Sequence, residues 1–184
     1  MIGIIILILF GAVLAIMFLI FAIYSFGFFR TYNSAPFIRI PKNVLPKIVK
    51  LLNIEDNSVV YDLGCGDGRV LLECYKHNSK ARYIGIERSA IPYALARIKT
   101  RGINKIKILR GDFLKQDLSQ ATHLFLYLLP KTMDDLLPKL EKELAPGTKL
   151  VSCAFSFSAK QPEKVIEFSN PSRSRPQFLY SYRF

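Results

Sequence analysis

Hydrophobic residues form one long uninterrupted run at the start of the chain, and short runs separated by polar turns in the remainder. No residue from Ile2 to Phe29 is charged. As a helix rising about 1.5 Å per residue, this run would be roughly 42 Å long, more than the ~30 Å hydrocarbon core of a bilayer. The pattern predicts a tilted membrane-spanning helix. A buried core helix or an uncleaved targeting signal would have the same pattern.

After the first 40 residues, apolar runs of strand length alternate with stretches whose apolar residues recur at helical spacing. The predicted strands are 58–63, 82–87, 105–109, 122–128 and 148–155, followed by strand-like runs at 165–168 and 177–184. The predicted helices are 43–52, 68–77, 89–101 and 131–144. This alternation predicts an α/β domain with a mostly parallel sheet. The two closing runs predict an antiparallel edge, and the short interval before them leaves little room for a helix.

Composition agrees with an apolar segment joined to one domain. The 184 residues are 51% hydrophobic. We therefore divide the chain into a transmembrane anchor at 1–29, a linker at 30–42 and a domain at 43–184. Only Arg30 and Arg39 are charged among the first 40 residues, so ten of the net +12 charges follow them. A domain this basic suits anionic lipid headgroups, nucleic acid or an acidic protein surface.

The charges beside the apolar run predict its orientation. Basic residues follow the run and none precedes it, so the positive-inside rule places the domain on the cytoplasmic, or matrix-like, side of a single-pass protein. The apolar run also favours lipid as a partner, through the helix and its basic flank. Nucleic acid is the weaker alternative, because the chain has no Arg/Gly repeat and no recognisable nucleic-acid module. Aromatic residues expected at the interface are Tyr24, Phe26, Phe28, Phe29 and Tyr32.

Cysteine and histidine spacing predicts no metal site. Cys65, Cys74 and Cys153 form no C-x-x-C pair, and His77 and His123 are isolated in the sequence. The cysteines therefore suit reduced thiols in a cytosolic domain.

The first strand leads into a glycine-rich turn. The segment Asp62-Leu63-Gly64-Cys65-Gly66-Asp67-Gly68-Arg69 carries glycine at three alternate positions. Glycine tolerates positive φ and lets a ligand approach the backbone closely. The G-x-G-x-G spacing differs from the G-x-G-x-x-G dinucleotide fingerprint. With the preceding acid, it resembles motif I of the class I S-adenosylmethionine-dependent methyltransferases. The alternative is a strand-to-helix turn without a ligand, and Asp62 could merely hydrogen-bond the amides of that turn.

Three side chains follow the next strands, at the sheet edge where ligands of open α/β sheets bind. Glu87 ends the second predicted strand, 19 residues after Gly68, where a carboxylate can accept hydrogen bonds from both ribose hydroxyls. Asp112 follows the third strand and could contact the adenine amine. Tyr127 ends the fourth. The alternatives are that Glu87 caps the next helix or pairs with Arg88, that Asp112 is a turn residue, and that Tyr127 is a packed aromatic.

A wider resemblance covers nearly all of the domain. The segments that carry it are Pro36-Phe37-Ile38-Arg39-Ile40-Pro41, 62–69, Tyr127-Leu128-Leu129-Pro130 and Lys139-Leu140-Glu141-Lys142-Glu143-Leu144. They are similar to the small membrane-anchored lysine methyltransferases related to the mitochondrial ATP synthase c-subunit lysine methyltransferase. The resemblance implies a Rossmann-like class I methyltransferase sheet that binds S-adenosylmethionine. The cofactor-binding residues would be Asp62, Gly64, Cys65, Gly66, Gly68, Glu87 and Asp112.

The resemblance implies methyl transfer to a lysine ε-amine of a protein substrate, and Tyr127 is the candidate for orienting that amine. Methyltransferases of planar amides or exocyclic base amines carry Asn/Asp-Pro-Pro-Tyr/Phe after the fourth strand, which this chain lacks. Three alternatives remain open: an enzyme acting on a lipid headgroup or another small amine, an RNA methyltransferase, and a cofactor-binding protein without catalysis.

Overall fold

A computed structural model describes residues 2–32, 38–170, 173 and 175–184. The chain divides into two compact units, with the boundary between residues 36 and 37. In the first unit, the described residues form helix α1 (Ile2–Tyr32). Its segment Ile6–Ser25 is long and apolar enough to cross a membrane, and its side chains are exposed.

Some of the predicted features fall outside the described residues. Pro36 and Phe37 of the Pro-Phe segment lie there, as do residues 33–35 of the predicted linker. The side chains of Phe26, Phe28, Phe29 and Tyr32, four of the expected interfacial aromatics, are likewise not described.

The second unit follows the predicted alternation of strands and helices. A 3₁₀ turn (Lys42–Val44) leads into α2 (Leu45–Leu52), whose Pro46 lies in the first turn, where proline is tolerated. The remaining helices are α3 (Arg69–His77), α4 (Ala90–Lys99) and α5 (Pro130–Glu143), with a further 3₁₀ turn at Phe113–Lys115. The strands are β1 (Val59–Leu63), β2 (Arg82–Glu87), β3 (Ile106–Arg110), β4 (His123–Leu126), β5 (Lys149–Cys153), β6 (Lys164–Phe168) and β7 (Gln177–Arg183).

The seven strands form one sheet in the order β3-β2-β1-β4-β5-β7-β6. The first five strands pair in parallel, whereas β7 runs antiparallel to both β5 and β6. This arrangement confirms the mostly parallel sheet with an antiparallel edge. Residues 154–163, between β5 and β6, contain no helix, as the short interval predicts.

Two predicted strands were too long at their carboxyl ends. Strand β5 ends at Cys153 because Ala154 has a φ of 68°, in the left-handed region that turns the chain away from the sheet. Strand β4 ends at Leu126, and three residues separate it from α5, which begins at Pro130. Continuous apolar sequence extends past both points, so hydrophobicity alone did not locate them.

The sheet separates two hydrophobic cores. Successive strand residues point to opposite faces, so Val60 joins one core while Val59 and Tyr61 join the other. Helices α2, α3 and α4 contribute side chains to the first core, and α5 contributes to the second. By the same alternation Asp62 points to the first face, towards α3 and α4.

Candidate functional site

The predicted tight turn follows β1. Gly64, Gly66 and Gly68 have φ values of 79°, 56° and 75°, all in the region that strains residues with a side chain. A Cβ on Gly68 would lie 3.4 Å from the Cβ of Ala96 on α4. A Cβ on Gly64 would lie 3.4 Å from Leu128 Cδ2. The turn therefore presents bare backbone at the carboxyl edge of the sheet.

Hydrogen bonds attach this turn to the end of β2. The backbone N–H groups of Gly64 and Cys65 donate to the Ile86 carbonyl at 2.8 and 3.1 Å. The Gly66 N–H donates to Glu87 Oε2 at 3.0 Å, and the Ser89 N–H donates to Oε1 at 2.7 Å. Glu87 thus bridges the glycine turn and the start of α4.

The Glu87 carboxylate retains capacity for a ligand. It is 9% exposed, and each oxygen accepts one of the two backbone hydrogen bonds. Since a carboxylate offers about four acceptor positions, two hydroxyl donors can still be accepted. The hydrogen bond from the Ser89 N–H means that Glu87 also helps to cap α4, which was the alternative role. This contact does not exclude a ligand.

Asp62 lies next to this turn on the first face of the sheet. It is opposite Gly85 on β2 and Phe125 on β4. The residue is 2% exposed. Burial, followed by the negative charges of Glu87 and Asp67, raises the Asp62 pKa well above its usual value. A cationic ligand group here would stabilise the ionised form.

Cys65 packs into the space left by a glycine on β2. A Cβ on Gly85 would lie 2.7 Å from Cys65 Sγ, so the thiol occupies the position of the missing side chain. Burial raises the pKa of the Cys65 thiol. The thiol therefore stays protonated at neutral pH, and its role in the turn is packing.

Asp112 lies beside Glu87 at the end of the neighbouring strand. The Gly111 N–H donates to the Glu87 backbone carbonyl at 3.0 Å and holds the two strand ends together. Asp112 is half-buried, and its Oδ1 accepts the Leu114 N–H at 3.0 Å. The turn role proposed as the alternative is therefore present, and Oδ2 remains available at the site edge.

Tyr127 is the first residue beyond β4 and packs, half-buried, against the first core. Burial and nearby Cys153 raise the pKa of its phenol, while the charge of Arg173 and a hydrogen bond with the Gln177 side chain oppose the shift. The phenol is therefore neutral at physiological pH. The alternation along β4 directs its side chain to the same face as Asp62. Its ring packs on the core and its hydroxyl interacts with Gln177, so orienting an amine remains a proposed role.

Sequence reasoning missed an ionic group that we call the Asp67 cluster: Asp67, Arg69 and Lys99. Asp67 is 1% exposed, and its oxygens accept from Arg69 Nε at 2.9 Å and Nη2 at 2.8 Å. Lys99 Nζ on α4 donates to Oδ2 at 2.6 Å. Arg69, followed by Lys99, holds the Asp67 pKa well below its usual range despite burial. The only sequence signal was an acid two residues before an arginine.

The Asp67 cluster also holds the segment that enters the domain. Arg69 Nη1 donates to the backbone carbonyl of Ile40 at 2.8 Å. Ile40 belongs to the described part of the Pro-Phe segment and is buried in the first core. One arginine therefore joins the glycine turn to the chain that precedes the domain.

Three acids, Asp62, Asp67 and Glu87, surround the turn within a domain that is basic overall. Asp67 is neutralised by its two cations, whereas Asp62 is buried on the first face and Glu87 lies at the carboxyl end of β2. The arrangement can accept hydrogen bonds from adjacent hydroxyls and can hold a positive charge. Among the described residues, no group of three or more His, Cys, Asp or Glu side chains is placed to bind a metal ion.

Comparison with known proteins gives consistent matches. The family model of the ANTKMT methyltransferase domain matches residues 62–164. A protein-lysine N-methyltransferase of Saccharolobus islandicus (strain REY15A) is 34% identical over 148 residues, which are 79% of this chain and 92% of that protein. The ATP synthase c-subunit lysine N-methyltransferase of Homo sapiens is 28% identical over 131 residues, 71% of this chain. That match spans only 56% of the human protein.

Solved structures share the fold. An RNA methyltransferase from Salinibacter ruber in complex with S-adenosyl-L-homocysteine has a TM-score of 0.72 and 29% identity, covering 79% of this chain and 93% of that one. The C-terminal domain of precorrin-6Y C5,15-methyltransferase from Rhodobacter capsulatus has a TM-score of 0.66 and 20% identity, covering 82% and 94%. The second likeness concerns the fold alone. Both agree with the predicted Rossmann-like sheet.

Proposed function

The chain belongs to the ANTKMT methyltransferase domain family, and we propose that it methylates the ε-amine of a lysine in a membrane or membrane-proximal protein. The family and the neighbour bound to S-adenosyl-L-homocysteine confirm two predictions, that the chain is a methyltransferase and that S-adenosylmethionine is its cofactor. The observation that carries the lysine assignment is the Saccharolobus relative, a protein-lysine N-methyltransferase aligned over 92% of its length.

The described site fits this cofactor, which supplies an activated methyl group on a sulfonium sulfur. We assign the ribose hydroxyls to Glu87, whose oxygens retain acceptor capacity beside the bare backbone of Gly64–Gly68. The adenine amine is assigned to Asp112 at the adjacent strand end. Asp62 would hold positive charge on the methionine side, since its carboxylate is buried beside two other acids and a cationic group would stabilise its ionised form.

The acceptor side of the site has to receive a neutral amine. With an unperturbed lysine pKa near 10.4, about 1 lysine in 2,500 is neutral at pH 7. A poorly solvated site raises that fraction because burial penalises the charged form. We assign Tyr127 to orienting the amine, since its neutral hydroxyl lies at the end of β4 on the same face as Asp62. Alignment and exclusion of water would be the main contributions of the protein.

Membrane attachment is the second part of the proposal. Helix α1 contains a segment long and apolar enough to span a bilayer, and basic residues follow it, which favours a cytoplasmic or matrix-like domain. Extraction of native membranes at alkaline pH tests the attachment. An inserted α1 keeps the chain in the membrane pellet, whereas release into the supernatant contradicts insertion.

The acceptor class is tested with the full chain reconstituted in lipid nanodiscs and given tritiated S-adenosylmethionine. The acceptor sample is the membrane fraction of cells that lack this gene, together with their total RNA and extracted lipids. We expect tritium in protein, and at least about ten-fold less with a Glu87→Gln chain at a cofactor concentration below its dissociation constant. Label confined to lipid would contradict the protein substrate and favour the headgroup alternative.

RNA is the second candidate acceptor, favoured by the Salinibacter RNA methyltransferase at 29% identity and by the basic domain. The sequence after β4, Tyr127-Leu128-Leu129-Pro130, argues against it because it lacks the motif of enzymes acting on base amines. Ribonuclease-sensitive label in the experiment above would support RNA and overturn the lysine proposal.

A further inference from the structure

Helix α4 presents an apolar face to solvent. Ile91 is 76% exposed and Ile98 is 70% exposed, and Ala94 between them is exposed as well. With half-buried Leu95, they recur at i, i+3, i+4 and i+7, the spacing of one helix face. We call this face the α4 stripe: Ile91, Ala94, Leu95 and Ile98.

The α4 stripe is separate from the face that packs on the domain. Pro92, Ala96 and Thr100 of the same helical region are buried, and α4 packs against β2 and β3. The domain core is therefore complete without Ile91 and Ile98. A single exposed isoleucine is ordinary, but two that are one heptad apart around an exposed alanine form a continuous apolar patch. Such patches mark interaction surfaces.

Only basic charges surround the α4 stripe in the sequence. From residue 88 to residue 111 the chain contains seven basic residues and no acidic one. Strand β3 is an outer strand of the sheet and packs beside α4. By strand alternation Arg110 lies on the α4 face with Ile106 and Ile108, whereas Lys107 points to the other face. At least two of the seven interact within the protein, since Lys99 is paired with Asp67 and Arg88 also has a partner. The seven are Arg88, Arg97, Lys99, Arg101, Lys105, Lys107 and Arg110.

We propose that the α4 stripe and its basic surroundings dock on the surface of an anionic phospholipid bilayer. Two contributions bind an interfacial helix to a bilayer. Apolar side chains such as isoleucine enter the boundary between headgroups and acyl chains, and flanking cations contact the lipid phosphates. The long apolar helix α1 makes a bilayer a partner that this chain can reach. RNA would satisfy the charges but leave the isoleucines in water. An apolar protein groove would need an acidic rim to match them.

Docking through the α4 stripe has a consequence for the site. Helix α4 begins three residues after Glu87 and directly after Ser89, which donates to that carboxylate. A docked α4 therefore holds the cofactor edge of the sheet beside the membrane surface. Amines close to the bilayer would be favoured as acceptors. The inference goes beyond the proposed function and holds for either a protein lysine or a lipid amine.

The test places a fluorescent reporter in the α4 stripe of the full chain. The three native cysteines are buried, so an Ala94→Cys chain offers one exposed thiol for an environment-sensitive nitrobenzoxadiazole label and keeps both isoleucines. The labelled chain is reconstituted into vesicles of phosphatidylcholine, with or without about 30% phosphatidylglycerol. We expect emission that is blue-shifted and about two-fold stronger in the anionic vesicles, and quenched by a nitroxide on the lipid chains.

Two controls isolate the surface. Lys131→Cys places the same label on α5, which packs on the opposite face of the sheet, and its emission should not depend on lipid charge. Ile91→Ser with Ile98→Ser should abolish the response at position 94. Both isoleucines are exposed, so this double variant should fold normally. Flotation of the vesicles reports insertion of α1 separately in every preparation.

Several results would overturn the proposal. The label at position 94 could emit equally in both vesicle types, with the same emission as the label at position 131. That result would show that the α4 stripe stays in water. A blue shift that appears only on adding transfer RNA would assign the surface to nucleic acid. A shift that requires the membrane-protein fraction would assign it to a protein partner.

Discussion

At the scale of single residues, Glu87 joins the turn, the start of α4 and the assigned ribose position. Glu87→Gln keeps the shape of the side chain and removes its charge. Because a hydrogen bond to a charged group contributes about 1.5–3 kcal/mol, we expect S-adenosylhomocysteine to bind about 10- to 100-fold more weakly, measured by calorimetry. Glu141→Gln on the exposed side of α5 is the matched control and should leave affinity unchanged. Equal affinities for the two variants would remove Glu87 from the site.

Removing the Asp62 charge should raise the stability of the fold and weaken cofactor binding. Its pKa is raised in the folded protein, so the folded state favours the protonated form and loses stability as pH rises above about 3.9, the unfolded value. Asp62→Asn avoids the buried charge. We expect its Tm at pH 8 to exceed that of the original chain by about 3–6 °C, with the difference vanishing near pH 4.

The same variant should bind S-adenosylhomocysteine less tightly, because the amide cannot balance a positive charge. Calorimetry beside the thermal scans measures both effects on one preparation. A lower Tm at pH 8 would contradict the assignment of an uncompensated carboxylate, and unchanged affinity would contradict its role in binding.

Tyr127 has two interpretations that a hydroxyl deletion separates. Tyr127→Phe keeps the packed ring and removes the group assigned to the amine. If the hydroxyl orients the amine, initial methylation rates at saturating cofactor should fall about 10-fold, with S-adenosylhomocysteine affinity unchanged. Tyr75→Phe on α3, whose ring meets Tyr83 edge-on at 6.2 Å outside the site, is the control. A rate equal to that of the control would leave Tyr127 a packed aromatic only.

Sequence patterns predicted the turn glycines and the strand-end acids, because backbone conformation and strand-end position are local properties. The Asp67 cluster was missed for a different reason. Lys99 lies 32 residues after its partner Asp67, and the Ile40 carbonyl lies 29 residues before its partner Arg69. Only the folded chain brings these groups together. Likewise, Cys65 could be named as part of the turn, but its packing over Gly85 depends on β2.

At the scale of elements, the Asp67 cluster joins the glycine turn to α3 and α4. Asp67→Asn would leave Arg69 and Lys99 without their buried anion. Since both cations are partly exposed, we expect a loss of about 2–3 kcal/mol, below the range for fully buried pairs. That corresponds to a Tm lower by about 5–10 °C. Circular dichroism of the full chain in detergent measures it.

The sign of the pH dependence gives a second check on Asp67. Its pKa is lowered in the folded state, so its contribution to stability is present above about pH 3.9 and is lost as pH falls below that value. The difference in Tm between the original chain and Asp67→Asn should therefore shrink below pH 4. A difference that stayed constant down to pH 3 would exclude an ionic origin.

Element identities followed from the sequence, whereas several element ends did not. The alternation of apolar runs predicted the helices and strands that the structure describes in the domain. Buried side chains recur about every 3.6 residues in a helix and every second residue in a strand, so the spacing identifies the element. Strand β5 ends at the left-handed Ala154, and β4 ends three residues before α5. Neither end is marked by a change in hydrophobicity.

At the scale of the whole molecule, three features favour work at a membrane surface: an apolar helix of spanning length, a basic domain, and the exposed α4 stripe beside the cofactor edge. The first two were readable from composition. The α4 stripe was not, because its isoleucines have the spacing of core residues and only the packing of α4 reveals which face stays outside.

The central claim, methyl transfer to lysine, is tested most directly by peptide mass spectrometry. Membrane proteins from cells without this gene would be incubated with the reconstituted chain and S-adenosylmethionine, and compared with a Glu87→Gln incubation. We predict lysine-containing peptides heavier by one or more methyl groups, with fragment ions that localise the added mass to the lysine side chain. At limiting cofactor these peptides should be far less abundant with the Glu87→Gln chain. Peptides that are unmodified, or modified only at other residues, would contradict the account.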